Sequence, residues 1–329
     1  MSVPSVTDAI QRFVDDALPR SHSIPEIDGL YRMMRDYAQR GGKMIRSKLL
    51  IASCIAHGGT FEAALPLAAA LEMFQDWVLI HDDIEDESEE RRGFPALHRL
   101  HGVPLALNAG DALHVYMWQV IHRAGVSGAF EEFLEMIHRT AEGQQIDLGW
   151  IAGQRWDISE DNYLELVRRK TAYYTVVSPL RLGALAAKRD PDPRFTQAGL
   201  DLGVAFQIRD DWLNLAGSHA IYGKEIGGDL LEGKRTLMLV HLLGHLPQQQ
   251  QLEVTRILAQ PRCDKTSEQI AGILELIRAH GSLEYAQGVA ELHAQRGLAL
   301  LEAALADLPG VAASEEIIAV STALATRSA

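Results

Sequence analysis

The sequence predicts an all-α protein, and three observations carry that expectation. Apolar residues recur at intervals of three and four from "TDAIQRFVDDAL" onward, the spacing of a helix with one buried face. No segment shows convincing alternation of apolar and polar residues with the period of two that a half-buried strand requires. Glycine and proline gather in short clusters such as "HGG", "RRGFP", "RDPDPR" and "LPG", which is turn chemistry and not the composition of interdomain linkers.

In chain order, the periodicity predicts a first helix over 7–18, then helices over 27–39 and 43–57, the last closed by "HGG". A long helix over 61–86 is apolar on most sides along 61–80, as a helix surrounded by others is, and ends in a run of acids. "RRGFP" separates it from helices over 104–125 and 127–152. The segments 159–172 and 173–187 read as two helices, the second again apolar on most sides and stopped by "RDPDPR". Helices over 194–217, 233–245, 248–259, 265–280 and 283–306 follow, and "LPG" precedes the last, over 312–326. With no internal repeat and no low-complexity segment, a single bundle-like domain over 1–329 is the economical reading.

The 329 residues are 47% hydrophobic, enough for a large core. With 31 basic and 44 acidic residues the formal charge is −13, which opposes a broad nucleic-acid footprint or attraction to anionic lipid. No nucleic-acid partner is expected, and any anionic ligand needs local cations or metals. Cys54 and Cys263 cannot form a disulfide framework and lack C-x-x-C spacing. The start "MSVPSVTDAIQRFVDD" has no basic end followed by an apolar run, so a cytoplasmic location is expected. The longest apolar stretch, "AALPLAAALEMF", is short for a bilayer and holds Pro66 and Glu72, so no membrane span is expected.

The stretch "LIHDDIEDESEERRG" places seven acids in the nine residues from Asp82 to Glu90. On a helix, Asp82 and Asp86 share a face with Asp83 beside them. They also lie at the helix C-terminus, the unfavourable end for carboxylates, so something must compensate. "FQIRDDWLNL" repeats the chemistry with Asp210 and Asp211, and with Asn214 one turn on. Two oxygen-rich faces suit a hard cation, above all Mg²⁺, which takes one or two carboxylates and completes its shell with water and phosphate oxygens. A polyphosphate substrate follows.

Cations occur in small sets. "GGKMIRSK" places Lys43 and Arg46 three apart at a helix start, where free N–H groups also favour an anion. Arg91 and Arg92 follow the first acids, "RRKTA" offers Lys170 and Thr171, and "YGKEIGGDLLEGKRT" offers Lys224, Lys234 and Arg235. The last stretch nearly matches a phosphate-binding P-loop, but Arg235 stands where a Ser or Thr is needed and no strand precedes it, which excludes that motif. His98 with His101, and His241 with His245, have no third ligand nearby and are not read as zinc sites.

In order from about 41 to 236, these motifs resemble the trans-isoprenyl diphosphate synthase (polyprenyl synthetase) family. The likeness rests on "GGKMIR", Gln75 ahead of "DDIED" and "RRG", "NAGDAL", "EGQQIDL", "KTA", "FQIRDD" and "GKEIGGDLLEGKRT". It implies an isoprenoid synthase fold, long helices around a deep central cavity, usually a homodimer, with the two aspartate motifs across the cavity mouth. It implies head-to-tail condensation of isopentenyl diphosphate with an allylic diphosphate. By the same likeness Asp82, Asp83, Asp86, Asp210 and Asp211 hold Mg²⁺, three ions per site with diphosphate bound, directly or through water. Arg91, Lys170 and Lys224 match contacts to the allylic diphosphate; Lys43, Arg46, Gln75 and Arg92 match the isopentenyl diphosphate pocket. Phe206 and Lys234 are assigned to substrate binding as well.

The chemistry agrees. Breaking an allylic C–O bond puts negative charge on the departing diphosphate, which positioned metals and cations stabilise. The allylic cation must be kept from water in an apolar cavity, where dipoles such as the Gln207 side chain and the Thr171 hydroxyl stabilise it. In the family, product chains grow toward the N-terminus of the first acid helix. Trp77 is therefore the candidate floor, with Val78 beside it and Phe74 and Met73 deeper. Farnesyl synthases usually add a second aromatic or a two-residue insertion; here Val78 and an uninterrupted "DDIED" favour geranylgeranyl over farnesyl diphosphate. Met44 and Ser47 depart from the family's "GGKRxRP", and Asn214 replaces an Asp, keeping an amide that can orient a metal-bound water. The alternatives, a noncatalytic regulatory subunit or a terpene cyclase, are disfavoured respectively by the two retained acid sites and by Lys43, Arg46, Gln75 and Arg92.

Overall fold

The computed structural model describes residues 5–216 and 227–325. Helix α1 (Val6–Ala17) opens on a capping box between Ser5 and Asp8, and α2 (Pro25–Gln39) on proline at its start. Helix α3 is Ile45–Ala56, and α4 (Phe61–Glu85) is capped by Thr60 and runs on through Pro66. A two-residue hairpin, β1 (Glu90–Arg91) with β2 (Phe94–Pro95), leads to α5 (Leu97–His101), α6 (Val103–Ala124) and α7 (Ala129–Ala152). Then come α8 (Glu160–Val167), a π-helical segment Arg168–Val177, α9 (Ser178–Ala186) and α10 (Arg194–Ala216). The remainder is α11 (Gly228–Glu232), α12 (Leu237–His245), α13 (Gln248–Leu258), a 3₁₀ turn Arg262–Asp264, α14 (Ser267–Ala279), α15 (Ser282–Leu305) and α16 (Val311–Ala325).

The all-α expectation holds, with local differences. Helix α3 starts two residues late because Met44 is left-handed at φ 47°, which leaves Lys43 on the preceding loop. The break expected after 172 does not occur: the chain passes from α8 to α9 through the π segment. The "RRGFP" turn is a hairpin, antiparallel with Arg91 opposite Phe94, and its central residues Arg92 and Gly93 have φ 57° and 77°. Positive φ at both positions is the type I′ geometry that matches strand twist. Helices α5 and α11 span five residues each, too few for a period to show.

The chain gathers into two units that interleave in sequence: Met1–Phe133, Pro179–Asp192 and Asp307–Ile317 in one, Leu134–Ser178, Pro193–Ala306 and Ile318–Ala329 in the other. In the first, α4 is the central element, with Leu67 through Leu71, Met73 and Phe74 fully buried and α3 and α6 packed against it. Helix α9 returns to this unit, where Ser53 Oγ donates to the Leu180 carbonyl at 2.7 Å. Among the described residues α4 is the one helix long and apolar enough to cross a membrane, contrary to the shorter apolar run read from sequence; most of that stretch is buried. Its apolarity is thereby accounted for by packing.

In the second unit, α10 packs along α15 and along the π segment. A Cβ at position 203 would lie 2.3 Å from the Ala172 Cβ, so only glycine permits this approach. Gly143 of α7 does the same on the other side, where a Cβ would come within 2.3 Å of the Lys170 backbone nitrogen. Val204, Ile208, Leu215, Leu237 and Leu242 are among the buried core of this unit.

Candidate active site

At 100° per residue, α4 presents three faces. Glu72, Asp76 and Asp83 form a buried stripe. Phe74, Trp77 and His81 form a second. Gln75, Val78, Asp82 and Asp86 form a third, and these four are half-buried. The acid run is therefore divided among faces that do different things.

Asp83 is 1% exposed. Its Oδ1 accepts from Arg91 Nε at 2.7 Å and its Oδ2 from the Tyr37 hydroxyl at 3.4 Å. Arg91 also reaches Asp82 Oδ2 at 3.1 Å. One guanidinium thus bridges both carboxylates, and their charge holds Arg91 firmly protonated despite its burial. This is the compensating cation that the acid run required. Asp86 ends the helix, its N–H bonded to the Asp82 carbonyl.

The hairpin turns Arg92 back toward α4, where Nη1 lies 3.4 Å from Asp76 Oδ1. The Gly41–Gly42 loop, which leads into exposed Lys43, passes against the Arg92 guanidinium: a Cβ at Gly42 would be 3.3 Å from Nη2. Arg46 is half-buried on the first turn of α3. Trp77 stacks on His114 of α6, ring centroids 4.0 Å apart, and meets Phe74 edge-on at 5.8 Å. It thus sits one face round from Val78, which lies under Asp82.

The second acid pair, on α10, divides in the same way. Asp210 is half-buried, while Asp211 is 7% exposed and accepts from Tyr163 Oη and Gln207 Nε2, each at 2.7 Å. Gln207 Oε1 accepts in turn from Thr171 Oγ1 at 2.8 Å. Burial, with Asp210 adding to it, pushes the Asp211 carboxyl up to about 7 against those two donors and the Lys234 charge. The π segment points Thr171 into this chain and sets Lys170 Nζ 2.5 Å from Asp147 Oδ2 on α7. Phe206 is half-buried beside Gln207. Lys234 pairs with Glu232 at 2.7 Å. Lys224 lies outside the described residues.

One residue gains a structural role and one expectation changes. Asn214 is 3% exposed and its Oδ1 accepts from the Asp229 N–H at 3.1 Å, so the amide also ties α10 to the start of α11. Arg235 is no phosphate ligand. Its guanidinium is buried over the Trp156 ring and donates to the carbonyls of Trp150, Arg155 and Gly233, where it caps the end of α7. Tyr37 meets Asp83 and Asp76 meets Arg92 in the first unit, while Tyr163 meets Asp211 and Asp147 meets Lys170 in the second; none of these four partners was read from sequence, because each acts across a fold-dependent contact. No group of three or more His, Cys, Asp or Glu side chains able to hold a metal occurs among the described residues. A few hard oxygens on each helix nonetheless fit Mg²⁺, which keeps water and phosphate in its shell.

The architecture, helices carrying two aspartate pairs with flanking cations, is that of the isoprenoid synthases. The chain belongs to the polyprenyl synthetase family, whose sequence pattern matches residues 27–277. It is similar to a short chain isoprenyl diphosphate synthase of Methanothermobacter thermautotrophicus, 32% identical over 92% of this chain and 93% of that one. It is likewise 32% identical to a geranylgeranyl diphosphate synthase of Sulfolobus acidocaldarius, over 94% of this chain and 93% of that one. A solved geranylgeranyl pyrophosphate synthase from Corynebacterium glutamicum, complexed with isoprenyl diphosphate and magnesium, superposes with a TM-score of 0.85 at 29% identity, covering 98% of each chain.

Proposed function

We propose that this chain joins isopentenyl diphosphate to an allylic diphosphate, giving a short-chain (E)-prenyl diphosphate, geranylgeranyl diphosphate in preference to farnesyl. The observation that carries this reading is that both aspartate pairs are present in a polyprenyl synthetase chain, each with one accessible carboxylate and one anchored behind it. Asp82, Asp86 and Asp210 present oxygens for Mg²⁺, three ions per site, with Asp83 and Asp211 holding the arrangement or reaching a metal through water. Bound magnesium supplies neutralisation of the departing diphosphate.

The chain's own residues do the rest. Arg91 and Lys170, with Lys224 by family likeness, bind the allylic diphosphate and stabilise the charge that grows as the C–O bond breaks. The Thr171 hydroxyl and the Gln207 amide are oriented dipoles near the allylic cation. Lys43, Arg46, Gln75 and Arg92 hold isopentenyl diphosphate, with Phe206 and Lys234 lining the approach. Its double bond attacks the cation, and the proton then lost passes to an oxygen of the released diphosphate, so no side-chain base is needed. Phe74 and Trp77, buttressed by His114, form the floor, with Val78 above them. One functional domain over 1–329 acts as a homodimer through apolar side chains exposed on α6 and the start of α7, among them Leu107, Val115 and Phe130. The free thiols of Cys54 and Cys263 support a cytoplasmic setting.

The test is whether magnesium-dependent diphosphate release requires isopentenyl diphosphate. Release from an allylic diphosphate by itself would point to a terpene cyclase instead.

A further inference from the structure

Beneath Arg92 lie polar groups that the chemistry above does not use. Glu72 and Asp76, one turn apart on α4, are 5% and 4% exposed. Ser47 Oγ meets the Ala68 carbonyl at 2.9 Å and also touches Glu72 Oε1. A serine hydroxyl owns one proton, and a carbonyl oxygen only accepts. Both contacts are attractive when Ser47 donates to Ala68 and accepts from Glu72, which then carries a proton of its own. Burial favours the same state of Glu72, and it pushes Asp76 up to about 8 against the pull of Arg92. The charged and titratable groups that act on the pair are Arg46 and Lys48 of α3, Tyr37 of α2 and Arg40 just past its end, and Arg92 of the hairpin. Gln11 and Met44 border the adjoining cleft.

We propose that Glu72 and Asp76 act as one proton-bearing pair that positions the Arg92 guanidinium and takes up a proton when a diphosphate binds there. The inference rests on the assignment of Arg92 to the isopentenyl diphosphate pocket. With Asp76 ionised, a diphosphate on Arg92 faces a buried anion 3.4 Å behind the guanidinium. A proton on Asp76 removes that anion, leaves a carboxyl oxygen to hold the guanidinium in place, and gives the whole arginine charge to the ligand. The proton already on Glu72 keeps two buried carboxylates from ionising one turn apart.

The experiment titrates isopentenyl diphosphate into the full-length protein near pH 8, where Asp76 changes charge, by calorimetry in Tris and in HEPES. EDTA and the absence of an allylic substrate exclude proton release by metal binding and turnover. Wild type is expected to give buffer-dependent heats that correspond to proton uptake, and an affinity that falls as pH rises, by at most about tenfold per pH unit for one linked proton. Asp76→Asn should bind with equal heats in both buffers and lose that pH dependence. Glu72→Gln, which keeps a donor toward Ser47, should still take up the proton. Equal heats in wild type, with affinity independent of pH, would overturn the pair's role and leave the Arg92 assignment standing. Binding that Arg92→Gln leaves unchanged would overturn the assignment and the inference with it.

Discussion

Asp83 and Asp211 occupy equivalent places in two unrelated stretches of helix. Each is the second of an Asp-Asp pair, each is buried, and each has both oxygens engaged: by Arg91 and Tyr37 in one case, by Gln207 and Tyr163 in the other. Removing the partner of a buried charge leaves it uncompensated. Arg91→Gln should therefore cost about 3–5 kcal/mol of stability in denaturant unfolding at neutral pH, besides slowing turnover. Asp211 makes a second prediction. Its carboxyl is raised in the folded protein, from 3.8 to about 7, so the folded state holds the proton more tightly than the unfolded chain. That contribution to stability is present at low pH and is lost as pH rises through this window. Under the proposed role of Asp211 beside the magnesium oxygens, a bound cation disfavours that proton. Magnesium with inorganic diphosphate should then raise the melting temperature by several degrees more at about pH 8 than at pH 5.5, and equal shifts would contradict the assignment. The aspartates themselves were legible, because seven acids in nine residues break the usual economy of charge. Their partners were not: Tyr37 and Tyr163 stand 46 and 48 residues from the carboxylates they hold, and nothing local marks them.

At the level of elements, the π segment decides where Lys170 and Thr171 point. It wedges between α7 and α10 because Gly143 and Gly203 leave no Cβ in the way, and π geometry recurs at functional sites. Gly203→Ala would force the segment outward. We expect a loss of about 1–3 kcal/mol from overpacking and at least a tenfold fall in kcat with a smaller change in KM for isopentenyl diphosphate, since Lys43, Arg46, Gln75 and Arg92, the residues proposed to hold it, lie on other elements. An unchanged kcat would detach the segment from catalysis. Periodicity located the helices on either side, but an expected break at 172 was drawn where the structure runs on. A π turn shifts the hydrophobic phase without any glycine or proline to announce it, and an abrupt phase shift reads as a boundary. The hairpin was hidden for the opposite reason. "RRGFP" has turn residues, but two-residue strands carry no period, and only the φ values of Arg92 and Gly93 disclose the type I′ turn that aims Arg92 at Asp76.

For the whole molecule, all-helical composition and the order of motifs were enough to indicate the family, which the match over 27–277 establishes. The two interleaved units were not legible, since each is assembled from three separate stretches and no linker composition divides them. The exposed Leu107, Val115 and Phe130 predict that sedimentation will report a dimer, and that Leu107→Glu with Val115→Glu will shift it toward monomer. The central claim is the reaction and its product. Purified protein with Mg²⁺ and labelled isopentenyl diphosphate is incubated with dimethylallyl, geranyl or farnesyl diphosphate, and the products are sized for wild type and Trp77→Ala. A C20 product that lengthens in the variant is the predicted result; no elongation from any primer would contradict the account.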